Sequence, residues 1–159
     1  MKIDEFMTLI KKFSNRPIPG RKFYIYQGSR ESIKKMLPSE MVKEIDLLQL
    51  LPNSNFPDDN SIQRAVKSAL KDNLQQSIKL LTGRQILLII SAWILVRYRV
   101  PPSIFYQYYL SDKTMVIVVI ERTDFHENIP AYVTLNNNIV LNFFRDSLPE
   151  ENKNNILQG

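Results

Sequence analysis

Two unbroken apolar runs, Ile86–Ile90 and Met115–Ile120, constrain this chain more than any other feature of its sequence. Neither run alternates between polar and apolar residues. A strand with one wet face alternates, whereas a strand covered on both faces does not. The second run is rich in β-branched residues, which favour extended backbone. The segment between the runs is long enough to cross one sheet face and return in parallel. Helices on both sides of a mostly parallel sheet satisfy these demands. The competing reading is one buried helix from Gln85 to about Arg99, since Ile86–Val96 is apolar except for Ser91. A membrane span is disfavoured, because the apolar stretch between Arg84 and Arg97 is shorter than the roughly 20 residues a bilayer requires.

The remaining elements follow from periodicity. Phe6, Leu9, Ile10 and Phe13 recur at helical spacing, and Pro17, Pro19 and Gly20 end that helix. Lys22–Gln27 reads as the first strand, Gly28-Ser29-Arg30 as a turn and Glu31–Leu37 as a short helix. A strand is expected near Ile45–Gln49, and a loop from Pro52 to Asn60. Ser61–Thr82 carries one apolar stripe through Ile62, Val66, Leu70, Leu74, Ile78 and Leu81, closed by Gly83. Pro101-Pro102 opens a short helix over Ser103–Leu110. Tyr132–Leu135 and Ile139–Phe144, joined by three asparagines, suggest a C-terminal β-hairpin. The expected architecture is therefore one three-layer α/β domain over residues 1–148, with a short, mostly parallel sheet and that hairpin at its edge. Residues 149–159 form a polar tail expected to fray.

Composition narrows function by exclusion. The 159 residues include no cysteine and one histidine, which rules out a disulfide scaffold, a Cys-ligated metal and a two-histidine metal site within one chain. His126 with Asp124 and Glu127 would be a meagre ligand set. A Ser-His-Asp triad lacks a nucleophile motif to support it. The N-terminus has charges throughout and no apolar signal core, so a cytoplasmic location without membrane attachment is expected. The net charge of +5 is uneven. It is +6 over residues 1–36, +2 over 37–120 and −3 over 121–159. A basic front suits an anionic partner such as nucleic acid, and also suits a merely solvated face.

Two constellations invite a functional reading. The first is the turn Gly28-Ser29-Arg30-Glu31-Ser32 between a strand and a helix. In P-loop folds a turn at that place wraps phosphates, a lysine reaches the terminal phosphates, and a later strand ends in a metal-holding acid. Here there is one glycine, no lysine in place, Glu31 where an anion would sit, and Ser91-Ala92 at the later strand's end. Gly28, Ser29, Arg30 and Ser32 remain candidates for binding a phosphate or another anion, with no metal, no cofactor and no catalytic residue. The second is an aromatic-basic segment with Trp93, Arg97, Tyr98, Arg99, Tyr106 and Tyr109. Such residues stack on bases and bind phosphates, build protein interfaces, or complete a core.

The run Ile86–Ile90, the crossover with Pro102, Ile104 and Phe105, and then Lys113–Val119 resemble the second half of small P-loop subunits of BREX phage-defence systems (BrxF-like). The resemblance covers about a third of the chain and rests on apolar pattern and spacing. The family's phosphate loop and acidic strand end are absent. It implies a degenerate P-loop-like fold and a partner subunit in a defence or nucleic-acid-processing assembly. The expected function is a non-catalytic interaction subunit with another protein as partner. The alternative is a basic nucleic-acid-binding module using the basic front with Arg97 and Arg99.

Overall fold

The computed structural model describes residues 1–20, 22–50, 62–79, 83–105, 108, 112–121 and 137–159. Five parallel strands form one sheet: β1 (Phe23–Gln27), β2 (Val42–Asp46), β3 (Gln85–Ile90), β4 (Thr114–Ile120) and β5 (Ile156–Gln158). Their order is β2-β3-β4-β1-β5. Helices α1 (Ile3–Asn15), α2 (Arg30–Met36), α3 (Leu47–Leu50), α4 (Ile62–Lys79), α5 (Trp93–Arg97) and α6 (Asn137–Ser147) complete the described elements, with three short 3₁₀ turns.

The two apolar runs are strands at the centre of this sheet. All seven residues of β4 are buried, as are Ile86–Ile90 of β3. β3 pairs in parallel with β2 on one side and β4 on the other. Alternate side chains feed two separate cores. Leu87, Ile89, Val116 and Val118 face α4, α5 and α6, where Leu70, Leu74, Ile94 and Phe144 meet them. Ile86, Leu88, Ile117 and Val119 face α1 and α2, where Phe6, Phe13 and Ile33 meet them. The chain between Gln85 and Arg99 is thus strand plus short helix rather than one helix. Among the described residues no helix is long and apolar enough to cross a membrane.

Three expectations change. Ile139–Phe144 lies inside helix α6, so it is no strand of a hairpin. Leu141, Phe144 and Leu148 are buried at spacings of three and four, while Asn142 and Arg145 are exposed. That spacing outweighs the branched residues that suggested extension. The hairpin's other half, Tyr132–Leu135, lies outside the described residues, as do the loop over 52–60 and Tyr106 and Tyr109. The second strand begins earlier than Ile45–Gln49, and Leu47–Leu50 turns into helix because Asp46 Oδ1 accepts the Leu48 N–H at 3.0 Å. The polar tail is not frayed. Ile156, Leu157 and Gln158 pair with Ile25, Tyr26 and Gln27, and Leu157 is fully buried. The N-terminal ammonium donates to Asn154 O at 2.7 Å, tying the two ends of the chain together.

Tyr24 shows how dry the α1 face is. Its ring packs against Phe6 with centroids 5.4 Å apart, and burial pushes the phenol up to about 12. A raised folded-state value favours the neutral phenol in the native state. Its contribution to stability is therefore intact below pH 10 and is lost as pH rises from 10 through 12. Two units correspond to at most about 2.7 kcal/mol. Denaturant midpoints at about pH 9 and pH 11.5 test this: about 2 kcal/mol of the wild-type loss between them is absent in Tyr24→Phe.

Candidate functional site

Connections between the strands leave opposite faces of the sheet. From β1 the chain passes through α2, on the α1 face, to the far edge at β2. From β2 to β3 it passes through α4, and from β3 to β4 through α5, both on the other face. From β4 the described chain resumes at α6, also on that other face, before β5 on the far side of β1. Neighbouring strands β1 and β4 thus send their chains to opposite sides. In open α/β sheets this is the switch point, and the crevice beyond the carboxyl ends there is where ligands bind.

The candidate phosphate turn stands at that crevice. Gly28 N–H still donates to Ile120 O at 3.2 Å, continuing the β1–β4 ladder. Ser29 caps α2, its Oγ accepting the Ser32 N–H at 3.2 Å. Ser32 Oγ lies 2.7 Å from the Tyr26 hydroxyl. Gly28 has a negative φ, so conformational freedom does not explain it. A Cβ there would lie 2.7 Å from Tyr26 Cε1, so the close ring excludes a side chain. The turn brings together Gly28, Ser29, Arg30 and Ser32 as the sequence suggests, and it turns the hydroxyls of Ser29 and Ser32 inward onto each other and Tyr26.

The decisive residue is Glu121, the first after β4. Its side chain is buried, and its Oε1 accepts the backbone N–H of Arg30 in the first turn of α2. Its Oε2 lies 3.4 Å from Arg30 Nε. A carboxylate of the chain itself therefore sits on α2's first turn, where a phosphate-binding fold offers open donors. Glu31, the sequence's candidate for that place, points to solvent instead. Arg30 also reaches Glu44 of β2 at 3.4 Å, and Lys34 pairs with Glu44 from the next turn of α2. Burial lowers the Arg30 pKa, but the charge and hydrogen bond of Glu121, then the charges of Glu44 and Asp46, outweigh it and raise the net value. One guanidinium thus holds carboxylates from both β2 and β4 across the end of β3.

The end of β3 is closed in a similar way. Ser91 adopts a left-handed conformation with φ 62°, and its hydroxyl donates to Asp46 Oδ1 at 2.6 Å. Left-handed backbone is costly for a residue other than glycine, and the surrounding contacts hold it. The acid that a metal-dependent P-loop site needs at this strand end is absent from β3 itself. Asp46 arrives from the neighbouring strand and spends one oxygen on Ser91 and Leu48. Among the described residues no group of three or more acids or histidines is placed to hold a metal ion.

The aromatic-basic segment divides. Trp93 is buried with Ile94 and Leu95 in the core on the α4 face, so it offers no stacking platform. Of the roles that the sequence leaves open to Trp93, its burial matches completion of the core that also holds Phe105 and Val100. Arg97 sits over the Tyr98 ring, 5.2 Å from its centroid. Arg99 is exposed with φ 53° and terminates α5: Val100 N–H donates to Leu95 O at 2.8 Å and Arg99 N–H to Val96 O at 3.3 Å, a Schellman closure. Arg99 also lies beside α4, its carbonyl accepting from Gln63 Nε2 at 2.7 Å. Arg97 and Arg99 therefore belong to the layer on the opposite face of the sheet from α1.

Glu121 and Asp46 were not singled out from sequence. Each is an acid directly at the carboxyl end of a strand, and that position was a usable signal. Only the strand order brings them to Arg30 and Ser91. No family model matches the sequence, and neither a curated protein nor a solved structure matches it.

Proposed function

We propose that this chain is a non-catalytic interaction subunit of a multi-protein assembly, built on a P-loop-like fold whose ligand crevice has been closed by its own side chains. The observation that carries the reading is the Glu121 carboxylate on the backbone N–H and guanidinium of Arg30. It neutralises the charge that would draw a phosphate and takes the donor that would hold one. A parallel α/β core kept without open crevice chemistry serves as a scaffold, and the resemblance to small phage-defence subunits supports a place beside another protein.

The test is purification of the tagged chain from its native source, followed by weighing of the complex and a phosphate-release assay with Mg-ATP. The reading expects one partner at fixed stoichiometry and phosphate release no faster than buffer. Recovery of the chain alone, or ATP turnover abolished by Arg30→Ala, would overturn it.

A further inference from the structure

We propose that the amino end of the sheet, opposite the Glu121 crevice, is a contact surface for the phosphate backbone of a nucleic acid. The fold gathers there cations that lie far apart in sequence. Arg84, just before β3, donates from Nη2 to Ser14 O at the end of α1, at 2.9 Å. Lys113, just before β4, accepts the Gln85 N–H on its carbonyl at 2.8 Å. Ile18 N–H donates to Asp112 O at 3.1 Å, and Arg16 N–H to Lys12 O at 3.1 Å. These bonds stitch the last turn of α1 to the starts of β3 and β4. Lys12, Arg16 and Lys113 are exposed, and Arg84 is half-exposed.

Behind them Lys22 is buried, its ammonium donating to Ile18 O at 2.7 Å and Gly20 O at 2.8 Å. It adds field without touching a ligand. Against these cations stand Asp112, stitched into the cluster, and Glu40, just before β2. At the crevice end the balance reverses, with Glu44, Asp46 and Glu121 against Arg30 and Lys34. A patch in which exposed, long cationic side chains predominate fits a regularly charged polyanion, and phosphate contacts of this kind carry no base preference.

The surface lies away from the Glu121 crevice, so its failure and the failure of the interaction-subunit reading are separable. The experiment is fluorescence anisotropy with a labelled duplex of about 20 base pairs and arbitrary sequence, at about 50 mM and about 200 mM salt. Contact with about four phosphates predicts a loss of affinity of about a hundredfold between the two. Lys12→Glu with Arg16→Glu weakens binding at least about tenfold at low salt and lowers the salt slope by about 2. Arg99→Glu, on the other layer, leaves affinity within about twofold. Lys12→Gln with Arg16→Gln, checked by melting temperature, repeats the test should charge reversal disturb folding. The proposal is overturned by absence of binding at low salt, by reversal variants that bind like the wild type, or by an equal loss in Arg99→Glu. Binding to vesicles with anionic headgroups but not to the duplex would assign the surface to a membrane instead, and would overturn it too.

Discussion

Leu87→Ala and Leu88→Ala are each expected to destabilise the protein by about 3 kcal/mol, and by similar amounts. The two residues are adjacent in β3, both fully buried, and point to opposite sides of the sheet. Leu87 packs into the core with α4 and α5, and Leu88 into the core with α1 and α2. In a strand with one wet face, neighbours would differ sharply, since only one would leave a cavity. Here both truncations remove about three carbons from a dry, packed layer, and the surroundings relax only in part. Urea midpoints of the two variants and the wild type measure this. A small cost at one site and a large cost at the other would mean that one helical layer is absent.

Arg30→Ala is expected to cost about 2–3 kcal/mol, because it takes the guanidinium away from the buried Glu121 carboxylate. The cost falls below the roughly 3–5 kcal/mol for breaking a fully buried pair, since about a third of the Arg30 side chain is exposed and water screens it. Glu121 would keep the Arg30 backbone N–H but lose the guanidinium, while Glu44 would keep Lys34. Arg30→Lys recovers little, because a single ammonium cannot serve the carboxylates of β2 and β4 as the guanidinium fork does. Arg30→Ala combined with Glu121→Gln recovers about half of the loss, since the buried charge is gone. A double-mutant cycle read by denaturant unfolding gives the coupling. Additive effects would mean that the pair is incidental.

Much of the sheet was legible because buried parallel strands announce themselves. The apolar run Met115–Ile120 falls within β4, and Ile86–Ile90 within β3. β2 was harder because it is an edge strand: among Val42–Asp46 only Ile45 is buried, so little apolar signal marks it. β5 was missed for a related reason. Three residues with one buried side chain cannot be told from a tail, and the pairing with β1 spans most of the chain's length. Three asparagines in a row suggest a turn, yet α6 already runs from Asn137.

The candidate site was half legible. A turn between the first strand and a helix, with Gly28 and the capping Ser29, follows from local sequence. What fills it does not, because Glu121 is 91 residues from Arg30 and meets it only through the β1–β4 pairing. Trp93 shows the converse limit: an aromatic after a buried strand can face a crevice or a core, and only the packing of α5 decides.

Backbone amide NMR with added Mg-ATP addresses the closed crevice most directly. If Glu121 occupies the first turn of α2, the amide signals of Gly28, Ser29 and Arg30 stay in place through millimolar nucleotide in the wild type. Saturable shifts of those three signals at micromolar nucleotide would show an open phosphate site and contradict the account.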